Sequence, residues 1–229
     1  MKLTVLGKYG PYPALNGATS GYLFQHKNTN IMIDYGCGIN AKIDEYINPE
    51  KLDAIILSHT HFDHASDLLV LSYRIKSKIK VYMPKSKDGD LANAIINTNA
   101  YDIEYYDENT TFSLGELNFS FCKGVHPYTS YSTKISDGKV DFVYTGDTVY
   151  TEQLVEFCKN AKCVLADAMQ KEEVKNPHMT VLDAYSLRKE SGAVIICTHA
   201  PVENAGDVTK YEGLIEAMED ETYIINNIE

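Results

Sequence analysis

Residues 58–64 read SHTHFDH and set His59, His61, Asp63 and His64 within a single turn, directly after the apolar run 54–57. Burying so many polar side chains is costly unless something pairs with them. In extended chain, residues two apart face the same way, so His59 and His61 can present both imidazoles to one ion. Asp63 and His64 stand where a helical pattern begins and turn to another side. The start of a helix also favours an anion such as Asp63. Two metal-binding side chains thus face one way and two another, as a pair of neighbouring ions would require.

Around this stretch, strand-like runs recur along the 229 residues: KLTVLG (2–7), GYLFQH (21–26), NIMIDYG (30–36), DAIILSH (53–59), KVYMP (80–84), LNFSFCKGV (117–125), YSTKI (131–135), DFVYTGD (141–147), CVLADA (163–168) and AVIICTH (193–199). Helical patterns separate several of them, at NAKIDEYI (40–47), HASDLLVLSYRIKS (64–77), LANAIINT (91–98), TEQLVEFCKN (151–160), MTVLDAYSLRKESG (179–192) and YEGLIEAMED (211–220). Asp137-Gly138 supplies a hairpin turn. The alternation implies an α/β chain of mixed sheets covered by helices. With no linker or low-complexity segment, residues 1–229 read as one domain.

Composition narrows the function. No apolar run reaches the ~18 residues of a membrane span, and MKLTVLGKYG reads as a first strand, so a cytoplasmic protein with no membrane partner is expected. A net charge of −11 argues against a general nucleic-acid binder. One stretch departs from this: 74–87 carries Arg74, Lys76, Lys78, Lys80, Lys85 and Lys87 without an acid. It reads as a solvated helix end followed by an edge strand, or as a patch that recruits an anionic substrate. The five cysteines form no CxxC pair and read as buried, reduced thiols.

The other candidate residues follow strand-like runs: His126 after FSFCKGV, Asp147 after DFVYTG, and His199 after AVIICT. Strand ends gathered on one sheet edge are where open α/β folds place their sites. His178 stands in a loop before a helix, and only His26 falls outside this pattern.

At these residues the chain resembles the metallo-β-lactamase superfamily, whose HxHxDH motif stands here as 59–64. The likeness continues through Asp34 in NIMIDYG, His126 in GVHP, Asp147 in YTGD and His199 in CTHA. GATSGYLF (17–24), TGDT (145–148) and PHMT (177–180) are similar to the ribonuclease Z-like branch. The resemblance implies a four-layer αββα sandwich of two mixed sheets flanked by helices. It also implies two divalent ions, zinc first and Mn²⁺ or Fe as alternatives. His59, His61 and His126 would hold one ion, Asp63, His64 and His199 the other, and Asp147 would bridge them. Asp34 would steady the motif loop by hydrogen bonds. Two departures stand out. Only 20 residues separate His126 from Asp147, leaving no room for a tRNA-gripping arm, so structured tRNA is not the expected partner. Asp167 takes the place of a glutamate that pairs with the active-site histidine, here His178.

The implied activity is a phosphodiesterase acting on a small or flexible diester, with a metal-bridging hydroxide as nucleophile, oriented by Asp63. His178, oriented by Asp167, would donate to the phosphoryl oxygen or the leaving group. The alternative on the same centre is a thioester, lactone or carboxylic ester hydrolase. A non-hydrolytic role, either di-iron oxygen chemistry or a binding module, fits less well, because no ligand is missing and there is no room for a flavin domain. Tyr128 and Tyr131 could line the pocket, and Tyr9, Tyr12 and GPYP (10–13) could form a rim, or each could serve in packing. Oligomeric state stays open, although relatives without the arm often form homodimers.

Overall fold

The structure is a computed structural model and describes residues 1–86, 88–172 and 177–228. In chain order the elements are β1 (Lys2–Gly7), β2 (Gly21–His26), β3 (Thr29–Ile33), α1 (Ile39–Lys42), β4 (Ala54–Ile56), α2 (Phe62–Ala65), α3 (Asp67–Leu71), β5 (Ile79–Pro84), α4 (Gly89–Asn97), β6 (Tyr101–Tyr106), β7 (Thr111–Leu114), β8 (Leu117–Lys123), β9 (Tyr131–Ser136), β10 (Asp141–Tyr144), α5 (Glu152–Cys158), β11 (Cys163–Asp167), α6 (Val181–Ser191), β12 (Val194–Thr198), β13 (Leu214–Glu216) and β14 (Thr222–Ile224).

The strands form two seven-stranded mixed sheets, ordered β14-β1-β2-β3-β4-β5-β6 and β13-β12-β11-β10-β9-β8-β7. Each has an antiparallel half and a parallel half: pairing turns parallel from β3 onward in the first sheet and between β10 and β13 in the second. Alternation along the strands builds the layers, since successive side chains point to opposite faces. Tyr22, Phe24, Ile31 and Ile33 pack against Phe119, Phe142, Tyr144 and Leu165 of the other sheet. The intervening Leu23 and Met32, with Ile55 and Val81, pack against Ile39, Leu68, Leu91 and Ile95 of the helices on that side. On the far side Val143, Val164 and Ile195 pack against Leu154, Val155 and Leu187 of α5 and α6. The result is the four-layer αββα sandwich.

Several local expectations change. YEGLIEAMED does not form a helix. Gly213 takes a left-handed φ of 82°, and Leu214–Glu216 pairs parallel with β12 as the sheet edge. An open row of backbone donors on β12 outcompetes a weak local helical pattern. KVYMP is not an edge strand, because β5 lies between β4 and β6. The helical pattern after the motif breaks into the short α2 and α3. Cys37 is exposed, while the other four thiols are buried and all five are free. β6 and β7 escaped the sequence reading; β6 exposes Asp102, Glu104 and Tyr105, which hides its alternation. Within the basic stretch, Arg74 pairs with Asp44 at 2.6 Å and Lys80 with Glu104 at 3.9 Å; Lys87 lies outside the described residues.

Candidate metal centre

The candidate residues come together because the strands that carry them end on one side of the sandwich. β3 delivers Asp34, β4 the motif, β10 Asp147, β11 Asp167 and β12 His199, while the β8–β9 connection delivers His126. Asp34 is fully buried at the centre of a hydrogen-bond hub. Its carboxylate accepts from the Ser58 amide (2.7 Å), the Ser58 hydroxyl (2.8 Å), the Tyr144 phenol (2.7 Å) and His64 Nδ1 (2.8 Å). With its hydroxyl proton on Asp34, Ser58 Oγ can accept from His59 Nδ1 at 3.0 Å. Both imidazoles are thereby turned so that Nε2 faces the centre. Asp34 has φ 55° and His199 φ 60°, left-handed conformations uncommon outside glycine and typical of strained functional sites.

Three overlapping groups of donors lie with their ligand atoms within 4.8 Å of one another: His59, His61, His126 and Asp147; Asp63, His64, Asp147 and His199; and Asp147, Asp167, His178 and His199. Asp147 belongs to all three. Its Oδ2 is 3.6 Å from His59 Nε2, 3.7 Å from His126 Nε2 and 3.4 Å from His199 Nε2, and its Oδ1 is 3.2 Å from His64 Nε2. His59 Nε2 and His61 Nδ1 are 3.0 Å apart, and Asp63 Oδ2 is 3.1 Å from His199 Nε2.

Electrostatically the first two groups differ. Burial, reinforced by neighbouring imidazoles, pushes His59 well below the ordinary histidine range. Burial also lowers His61, and lowers His126 to about 4. At His64 burial works the same way but is outweighed by Asp147, Asp63 and Asp34, which raise it well above the ordinary range. At His199, Asp147 and Asp167 outweigh burial and raise it to about 9. Asp147 is held well below the carboxylate range: burial opposes its ionisation, but His199, His64 and His59 overcome that.

His178 stands beyond these two groups on the accessible side. Its Nδ1 lies 2.7 Å from Asp167 Oδ2, and its ring stacks on His199 with centroids 4.8 Å apart. Burial and the neighbouring Asp147 raise Asp167. His178 is raised too, because Asp167 outweighs its burial. The shorter aspartate therefore reaches the histidine, and the other oxygen, Oδ1, lies 3.4 Å from His199 Nδ1.

The supporting shell was less visible in the sequence. Nothing in the order of residues points to Tyr144 or Ser58 as partners of Asp34. The GPYP loop was a candidate rim, but the role of its Gly10 against His199 was not visible. A Cβ there would come within 2.2 Å of His199 Nε2, so the 10–13 loop closes on that ring only because residue 10 has no side chain. Tyr128 sits on His61, ring centroids 3.9 Å apart. Tyr131 belongs to the core between the sheets. Tyr9 packs on the α5–α6 side, and Tyr12 is half exposed.

The donors suit a cation. His64 Nε2 and Asp147 Oδ1 face each other at 3.2 Å, both buried, without a well-formed hydrogen bond among the described residues. Orphaned polar atoms of this kind cost about 1–3 kcal/mol each, which coordination would offset. Nitrogen and carboxylate donors without thiolate suit Zn²⁺, Mn²⁺ or Fe. Carboxylate and imidazole groups at strand ends of an αββα sandwich define the metal-dependent hydrolase class.

Residues 29–202 match the model of the Beta-lactamase superfamily domain, and the chain belongs to that family. It is 32% identical over 214 residues to a probable metallo-hydrolase, YhfI, of Bacillus subtilis, covering 88% of this chain and 87% of that one. The crystal structure of that metallo-β-lactamase fold protein superposes with a TM-score of 0.87, covering 97% of this chain and 99% of the other. Human tRNase Z, short form, shares the fold at 15% identity and a TM-score of 0.77, covering 98% of this chain and 99% of that one. A diphosphatase from the PhnP family does so at 16% identity and a TM-score of 0.77, covering 97% and 96%.

Proposed function

We propose that the chain is a dinuclear metal-dependent phosphodiesterase, zinc being the first choice of metal. The observation that carries this reading is His178. It lies beside both ligand groups, its Nδ1 held by a buried carboxylate at 2.7 Å. By family resemblance the thioesterase and lactonase branches usually lack such a histidine loop; on a diester the imidazole would handle a proton or a negative phosphoryl oxygen. The names of two neighbours in fold, a tRNase and a diphosphatase, agree with phosphate chemistry by analogy.

In this reading His59, His61 and His126 would hold one ion, Asp63, His64 and His199 the other, and Asp147 would serve both. The ions would supply Lewis acidity and a water ionised near neutral pH. Asp63 would orient that water by a hydrogen bond. With Nδ1 held by Asp167, the His178 ring acts through Nε2, donating to a phosphoryl oxygen or to the departing alkoxide. Tyr128 lines the opening on the His61 side, and the 10–13 loop forms the rim beside His199.

His178→Ala should keep its metal and lose about 10²–10⁴-fold in diester turnover, whereas His59→Ala should lose metal. Elemental analysis and hydrolysis of bis(p-nitrophenyl) phosphate read both effects. Metal lost from His178→Ala, or turnover left intact, contradicts the assignment. A wild-type protein that cleaves thioesters or lactones while leaving diesters untouched would transfer the centre to carboxylic chemistry.

A further inference from the structure

We propose that the mouth of the centre binds an aromatic arm of its substrate on a shelf made by Tyr128 and flanked by Phe62 and Val125. The inference rests on the phosphodiesterase reading and narrows its substrate to diesters with one flat, aromatic arm.

The shelf starts from how Tyr128 is held. Its ring lies on His61 with centroids 3.9 Å apart and planes 41° from parallel. The start of α4 is cut back to seat it: a Cβ on Gly89 would come within 2.5 Å of the phenol oxygen. The loops on either side are tied to the same point. Thr60 of the motif donates its hydroxyl to the Asp88 carbonyl at 2.8 Å. The Thr129 amide donates to the Asp88 carboxylate at 2.6 Å. A ring fixed in this way needs little reordering to receive a ligand.

Each of the two loops also carries an exposed apolar residue. Phe62, between His61 and Asp63, is 67% exposed, and Val125, beside His126, is 56% exposed. The rings of His61 and His126 are 4.9 Å apart, so these loops meet at the centre. One exposed apolar residue is ordinary. Two of them, one following His61 and one preceding His126, on loops whose imidazoles meet beside a seated tyrosine, offer apolar surface at the mouth. An arm reaching the shelf therefore meets an aromatic face beside aliphatic carbon. Stacking on an aromatic face tolerates many ring types.

The test compares phenyl p-nitrophenyl phosphate with methyl p-nitrophenyl phosphate, which release the same p-nitrophenolate. The ratio of their kcat/KM values is read in metal-loaded wild type, Tyr128→Phe, Tyr128→Ala, Phe62→Ser and Val125→Ser, with metal content measured in each. Tyr128→Ala should lower the phenyl-to-methyl ratio about tenfold. Phe62→Ser and Val125→Ser should lower it about threefold, and Tyr128→Phe should preserve it. A ratio unchanged across all variants overturns the shelf. If Tyr128→Ala loses metal, the two serine variants decide by the same criterion. A wild type that cleaves neither diester overturns the phosphodiesterase reading itself, a result distinct from a ratio indifferent to substitution.

Discussion

His59 and His64 stand five positions apart in one motif, both fully buried, yet the fold tunes them in opposite directions. His59 turns its Nδ1 to a neutral hydroxyl, Ser58, and burial keeps the ring uncharged. His64 turns its Nδ1 to the Asp34 carboxylate and faces Asp63 and Asp147 with Nε2. The same contrast runs through their groups. His59, His61 and His126 form an imidazole-rich half prepared as neutral ligands. His64 and His199, among carboxylates, form a half that holds protons until a cation replaces them. The carboxylates within reach, Asp147 and Asp63 ahead of Asp34 at His64, and their scarcity beside His59, set the contrast between the halves.

The largest effect should come from breaking what the halves share. Asp147→Ala should empty both and reduce hydrolysis by about 10³-fold or more; near-normal metal content by elemental analysis would show that Asp147 is not common to them. Next come substitutions confined to one half. His59→Ala and His64→Ala should each lose mainly one ion, and competition titration with a chromophoric chelator should find the survivor in the opposite half. Identical loss of both ions from either variant would merge the halves into one cooperative site. Asp34→Asn should weaken metal binding by about 10–100-fold, chiefly at the His64 side, measured by the same titration. Equal weakening of both sites would assign Asp34 to the loop as a whole.

The smallest expected effect is on pH. His64 and His199 are raised by the carboxylates around them, so in the metal-free protein they hold protons more tightly than an ordinary histidine and would have to release them to ligate. Falling pH favours those protons and weakens the second half first. His59, His61 and His126 are lowered and stay neutral further into acid. Metal retention followed between about pH 8 and pH 5 should therefore show two steps, the carboxylate-rich half releasing at the higher pH. Calorimetry in buffers of different ionisation enthalpy should find protons released on binding to that half. A single step, or release in the opposite order, breaks the comparison.

The residues that gather at the candidate centre were legible in the sequence because most lie in short, locally unusual stretches at strand ends. HTHFDH crowds donors where a packed chain has no other use for them, and the strands around it alternate cleanly. The fold class follows from the same alternation. What stayed hidden depends on contacts across the chain. Asp34 and Tyr144 are 110 positions apart and meet only because the two sheets pack face to face. Gly10 meets His199 through pairing of the 8–10 segment with Ala200. β13 looked helical because its strand identity comes from the edge of β12, not from its own residues. Asp167 was legible as a partner for His178, but its nearness to His199 was not.

The most direct test of a two-ion centre is metal content per chain, paired with turnover of bis(p-nitrophenyl) phosphate before and after chelation. Two ions per chain, with turnover lost on chelation and restored by Zn²⁺, is the expected result. One ion or none in active protein, or turnover indifferent to chelation, would contradict the account.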